Sequence, residues 1–330
     1  MTDPDTAALM RRILREDQSA FVHKVFNSLV HGGEFKPNWH HQAILYQLER
    51  VRTGEINRLI ITLPPRNLKS IIGSVAWPAL LLGIDPTLSI ICASYSNDLA
   101  LKFSRDCRSI MGSDWYRSLF PKTILSRERN SEAEFMTTRR GGRMATSVGG
   151  TLTGRGGDIL IIDDPMKPEE AMSETARKNV LEWFGHTVIS RLNDKVEGAI
   201  VVIMQRLHEE DLAGHLLEQG GWEHLSLPAI AEHQELIPTG PDRFFERLPN
   251  TVLHAAHEPR SALEQIKHAQ GSSVFSAQYL QQPVPAEGLL IKREWLRRYT
   301  APPKSEPGDK IIQSWDTASK EGALNDWSVG

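Results

Sequence analysis

The sequence predicts an α/β fold, a mostly parallel sheet flanked by helices, and three observations carry that expectation. Strand-like apolar runs alternate with helical stretches from Leu59 to Met204, the order that yields parallel strands joined by crossover helices. The run Ile159-Leu160-Ile161-Ile162 is continuously aliphatic, the composition of a strand covered on both faces. The first run, Leu59 to Leu63, breaks at Pro64-Pro65 and leads through Arg66, Asn67, Leu68, Lys69 and Ser70 into a helical pattern from Ile71. Strand, tight loop, then Lys-Ser at a helix N-terminus is the layout of a phosphate-binding loop. Backbone N–H groups and the helix dipole favour an anion there, the Lys reaches phosphate, and the hydroxyl ligates Mg²⁺. The usual pattern has glycines where this chain has Leu63 and Leu68, so a basic turn after a core strand stays open on these residues alone.

Composition bounds the rest. The chain has 330 residues, enough for two domains, with 40% hydrophobic and 24% charged residues. A net charge of -3 announces no global field for nucleic acid, so any such contact must come from local patches. Cys92 and Cys107 are the only cysteines. That excludes a disulfide scaffold and a cysteine metal site, and fits a reducing cytosol. No apolar run is long enough to span a membrane, and the polar, acidic N-terminus has no secretory core.

Taken in order, residues 1–52 form an N-terminal helical segment. Ala7 to Val30 repeats apolar residues at helical spacing until His31-Gly32-Gly33, and Pro37-Asn38 introduces a second helix from Trp39 to Arg52. Trp39, His40 and Gln42 lie just upstream of the first strand, where many nucleotide-using proteins contact adenine; a helix that packs Trp39 into the core is the plainer reading. Ile71 to Gly83 predicts an apolar helix interrupted at Trp77-Pro78, Leu88 to Ser94 a buried strand, and Ser96 to Met111 an amphipathic helix. Lys102, Arg105 and Arg108 fall on that helix's polar side, a solvated face or a DNA-facing patch. Two strand-like pieces, Glu134 to Thr137 and Arg143 to Val148, precede the glycine-rich turn Thr153-Gly154-Arg155-Gly156-Gly157.

The aliphatic run then ends in Asp163-Asp164-Pro165. Carboxylates at the C-terminal edge of a buried strand stand where α/β ligand sites lie. Asp163 is placed to hold Mg²⁺ and Asp164 to polarise a water. Met172 to Leu192 predicts a helix, and Ala199 to Met204 another buried strand with Gln205-Arg206 at its tip, beside the site. His208, Glu209, Glu210 and Asp211 read as an acid-rich helix N-terminus rather than a metal site. Domain expectations follow: a phosphate-loop α/β core over 53–228, a linker or lid subdomain and hinge over 229–300, and a new domain from 301. Within the lid segment Ser261 to Leu280 is helical, Gln282 to Gly288 is the hinge, and Lys310 to Asp316 is a fresh strand.

The segments PPRNLKS, SYSNDLA, GGTLTGRGGDILIIDDP, VIMQRLHEEDLAG, FSAQYLQQP and SWDTASK occur in this order. Together they resemble the large subunit of tailed-phage terminases, from about Trp39 to the last residue. The resemblance implies an ASCE-type, RecA-like P-loop ATPase followed by an RNase H-like nuclease. It implies ATP and Mg²⁺ as ligands, with Pro65, Arg66, Asn67, Leu68, Lys69, Ser70 and Gln42 on the nucleotide side. Asp163 matches the Mg²⁺ carboxylate. Asp164 stands where most of the family carries a catalytic Glu, one methylene longer. Arg66 matches a loop arginine, Arg155 an arginine finger offered to a neighbour's ATP, and Gln205 with Arg206 a coupling motif. Asp316 and Asp326 match nuclease ligands for Mg²⁺ or Mn²⁺; the remaining acids do not occur before Gly330, so this chain is not expected to cut DNA alone. Implied partners are double-stranded DNA, the small terminase subunit and the portal of the prohead, with a homo-oligomeric ring when docked and a monomer in solution. The implied setting is the host bacterial cytoplasm, with no place in the mature virion. Two readings stay open beside it: another P-loop DNA translocase or helicase, and a non-catalytic prophage remnant.

Overall fold

A computed structural model describes residues 4–284 apart from 151 and 153, all within one compact unit. The distal half of the hinge, the strand expected at Lys310 to Asp316, and both Asp316 and Asp326 lie outside the described residues.

The centre is an eight-stranded sheet. Its strands are β1 (Arg58–Thr62), β2 (Ser89–Ser94), β3 (Leu125–Asn130), β4 (Glu134–Thr137), β5 (Gly142–Ser147), β6 (Ile159–Asp163), β7 (Ala199–Met204) and β8 (Glu223–Ser226). They lie in the order β3-β4-β5-β2-β6-β7-β1-β8. From β5 to β8 every pairing is parallel; β4 and β3 extend one edge by antiparallel pairing. β6 and β7 are buried along their whole length. The period of two in a strand then divides the core. Leu59, Ile61, Ile161, Val201 and Ile203 point into one apolar layer, while Ile60, Leu160, Ile162, Ile200 and Val202 point into the other.

Helices cover both faces. The first layer is built by α1 (Pro4–Glu16), α2 (Gln18–Leu29), α3 (Trp39–Arg52), α4 (Trp77–Ile84), α5 (Asn97–Gly112) and α6 (Asp114–Leu119). The second is built by α7 (Glu174–Trp183) and α8 (Leu212–Gln219). The single helix expected over Ala7 to Val30 is two, because Asp17 leaves helical geometry and caps α2 through the amides of Ser19 and Ala20. Pro78 does not interrupt its helix. A π-helical turn over Ile71–Ala76 passes directly into α4 through helical Ala76 and Trp77, and the Ser74 carbonyl, which the missing Pro78 N–H cannot meet, accepts from Arg143 instead (3.1 Å). Lys102 and Arg105 pair with Asp106 and Glu132, and Arg108 donates to the Asn130 carbonyl, so that face is satisfied locally.

Beyond β8 come the hairpin β9 (Glu235–Gly240) and β10 (Arg243–Arg247), then α9 (Arg260–Gln270) and α10 (Ser272–Gln278). The helix expected over Ser261 to Leu280 breaks at Gly271, whose φ of 84° ends α9. The hairpin packs on α3: Trp39 stacks on Phe245 at 4.3 Å and lies under the Arg247 guanidinium at 5.5 Å. Trp39 is therefore half-buried, with its ring given to the hairpin. No helix among the described residues is long and apolar enough to cross a membrane.

Candidate phosphate-binding site

The loop after β1 is held at both ends. Leu63 N–H donates to the Met204 carbonyl at the tip of β7 (3.1 Å), and Ile72 N–H donates to Leu68 C=O (2.9 Å). Buried Asn67 closes the turn by donating its side-chain amide to Pro65 C=O (3.1 Å). Arg66 and Leu68 take left-handed φ values of 65° and 62°. Left-handed residues alternating with right-handed ones turn successive N–H groups to one side, the geometry of an anion nest. Lys69 and Ser70 follow at the helix start, where first-turn amides have no intrahelical carbonyl to reach.

Facing the loop is the tip of β6. Lys69 Nζ lies 2.9 Å from Asp164 Oδ1, and both side chains are largely shielded. Ser70 Oγ donates to Asp163 Oδ1 (3.1 Å) and Ser74 Oγ to Asp163 Oδ2 (2.7 Å). Asp163 is fully buried, and burial together with the neighbouring Asp164 charge pushes its carboxyl up, against the Ser74 bond, Lys69 and the Ser70 bond. A buried carboxylate so placed favours a cation. Asp164 has a φ of 44°, with its N–H on Ile203 C=O and its C=O on Tyr95 N–H. Ser74 stands one helical turn after Ser70, and that spacing alone was the available sequence signal for it.

β7 lies between β1 and β6, so its tip enters the site. Gln205 N–H donates to Asp164 Oδ1 (3.2 Å), and the Gln205 side-chain carbonyl is buried without a partner among the described residues. Arg206 turns away. Its Nε donates to both oxygens of Asp211 (2.9 and 3.0 Å), while its backbone N–H reaches Gln281 Oε1 (3.0 Å) beyond α10.

Two residues expected at the nucleotide are not drawn in, and a third, expected at a neighbour's site, lies apart. Gln42 is exposed on the far side of α3, in a cleft with Tyr46, Glu49 and the β9–β10 turn. It does not reach the loop because helical spacing turns it away from His40, the residue of α3 whose ring lies beside the Asn67 backbone. Arg66 is exposed, its charge felt at the Tyr279 hydroxyl. Arg155 precedes β6 and so lies at the opposite end of the strands from the loop, paired with Glu134 (2.8 Å).

Fold and site together define a mostly parallel α/β protein whose Lys-Ser loop faces paired carboxylates at the strands' C-terminal ends. No protein-family model and no curated protein matches the sequence. The structure is similar to that of the HK97 bacteriophage large terminase, with a TM-score of 0.48 and 13% identity over 82% of this chain and 55% of that one. It is also similar to the large terminase of a thermophilic bacteriophage, solved in complex with ADP, with a TM-score of 0.42 and 9% identity over 71% and 52%. The chain spans about half the length of either.

Proposed function

We propose that this chain is the ATP-hydrolysing motor part of a phage terminase large subunit, driving double-stranded DNA into a prohead. One observation carries the reading: Lys69, Ser70, Asp163 and Asp164 converge at hydrogen-bonding distances where β1 and β6 end. Lys69 would leave Asp164 for the β- and γ-phosphates, and the nest from Arg66 to Ser70 would hold the phosphate oxygens. Asp164, freed of Lys69 and steadied by Gln205 N–H, would orient the attacking water. Ser70 and Asp163 would hold Mg²⁺, which neutralises developing phosphate charge when bound. Arg155 cannot serve its own site from the opposite sheet end, which supports its use on a neighbouring subunit of a ring docked on the portal. DNA contact would be to phosphates, hence strongly salt-dependent. The Arg206–Gln281 bond supports coupling toward the segment after α10.

The test is ATP hydrolysis by the purified chain over a range of protein concentrations, with and without duplex DNA, beside Lys69→Ala and Arg155→Ala. Activity is expected to rise faster than linearly with concentration and to vanish in Lys69→Ala. Arg155→Ala should lose about 10³–10⁵-fold, as for other trans arginines, and recover when mixed with Lys69→Ala, whose intact Arg155 serves the mutant's site. Equal inertness of wild type and Lys69→Ala at every concentration overturns the reading.

A further inference from the structure

Behind the phosphate loop three histidines meet: His40 and His41 at the start of α3, and His254 in the segment between β10 and α9. Ring centroids lie 4.0 Å apart for His40 and His41, 5.3 Å for His40 and His254, and 5.7 Å for His41 and His254. One nitrogen of each ring lies within 4.8 Å of one on each of the others. All three side chains are buried, yet both nitrogens of His41 and His254 Nε2 have no hydrogen-bond partner among the described residues, and His40 Nε2 has none beyond the nearby Asn67 backbone. Buried polar atoms are rarely left so, and each lost partner is costly.

We propose that His40, His41 and His254 form a binding site for a zinc-class divalent cation, with the fourth coordination position left to water. Imidazole nitrogen suits Zn²⁺ and its neighbours, while Mg²⁺ and Ca²⁺ prefer oxygen, so this site is chemically distinct from any nucleotide metal. The rings are kept neutral, as ligands must be. Burial, then the neighbouring histidines, hold His40 down to about 2; burial, then His254 and His257, hold His41 to about 4; burial, then His257 and Lys36, hold His254 to about 4. Asn38 lies 2.6 Å from His40 Nδ1 and donates to Leu253 C=O (2.6 Å), pinning the ring to the loop that carries His254. The exposed residues Ala255, Ala256 and His257 follow His254 in the chain. Bound metal would fasten the helix behind the phosphate loop to the segment after the hairpin.

The test uses the untagged 330-residue chain, stripped with chelator and titrated with Zn²⁺ against a competing dye. One equivalent is expected to bind, with a higher unfolding temperature, and Co²⁺ in its place should give the visible absorption of a tetrahedral site. His41→Gln and His254→Gln should weaken binding by at least ~10–100-fold, the loss that even an outer partner's removal brings. Failure of the wild type to take up one equivalent overturns the proposal, as does unchanged affinity in both histidine variants. X-ray absorption on the metal-loaded wild type decides it even if the variants do not fold: fewer than three imidazole ligands overturns it.

Discussion

Replacing Asp211 by Ala should destabilise this protein strongly. Asp211 is 1% exposed and accepts from Arg206 Nε at both oxygens. It also accepts from Leu207 N–H (2.9 Å) and His208 N–H (3.3 Å), and it caps α8 through Gly214 N–H (2.9 Å). Removing one partner of a buried ion pair strands the other charge, at about 3–5 kcal/mol. Loss of an N-cap adds about 1 kcal/mol, for a total of about 4–6 kcal/mol. In a unit of this size that lowers Tm by roughly 10–20 °C. Urea unfolding followed by circular dichroism measures it. Asp211→Asn, which keeps the cap but leaves Arg206 unneutralised, should cost about 3–5 kcal/mol. Arg206→Met in the Asp211→Ala background should recover about 2–3 kcal/mol, a coupling typical of contacting residues. If Asp211→Ala stays within about 1 kcal/mol of wild type, or if the double mutant is additive, Arg206 is not held as the structure has it. Its expected coupling role would then rest on a side chain free to move.

Two further tests probe the core behind the site. A Cβ at Gly73 would stand 2.1 Å from Ile203 Cδ1, so Gly73→Ala should cost about 1–3 kcal/mol by overpacking and Ile203→Val should restore part of it, read by thermal unfolding. Cys92 and Cys107 are buried; burial raises both thiols and pushes Cys107 up to about 12. Both should ignore an aromatic disulfide reagent at pH 8 in the folded protein, since only thiolate reacts, and both should react once it is unfolded.

What could be read from the chain divides along physical lines. β1, β6 and β7 are legible because both faces are buried, which forces aliphatic runs such as Ile159 to Ile162. α3 matches its expected span because Pro37-Asn38 and Gly54 bound it. β3 and β8 escape notice: Ser126 to Asn130 and Glu223-His224 are polar edge positions, and only pairing makes them strands. The approach of Lys69 and Ser70 to Asp163 and Asp164 was foreseeable, since a loop after one parallel strand and acids after another share a sheet edge. The turning of Gln42 away from the loop was not, because it depends on which face α3 buries. Nor was the meeting of His254 with His40 and His41, which only the packing of the hairpin on α3 brings about.

The loop's missing glycines acquire a structural meaning from this packing. Left-handed geometry costs an ordinary residue roughly 1–2 kcal/mol, and Arg66, Leu68 and Asp164 all adopt it within one site. A glycine loop would reach the same shape through freedom; this one reaches it through restraint. Pro64 and Pro65 fix the entry, Asn67 clasps Pro65, and the Leu68 side chain packs against the core beneath while its carbonyl starts the helix. Asp164 is tied at N–H and C=O to β7 and to Tyr95. Strain of this kind persists only where the surroundings over-determine the backbone. These restraints come from β1, β6, β7 and the helix start, the same elements that deliver Lys69 and the two carboxylates. A backbone so held would need little further ordering to take the anion proposed above, leaving the Lys69–Asp164 pair as the contact to be rearranged.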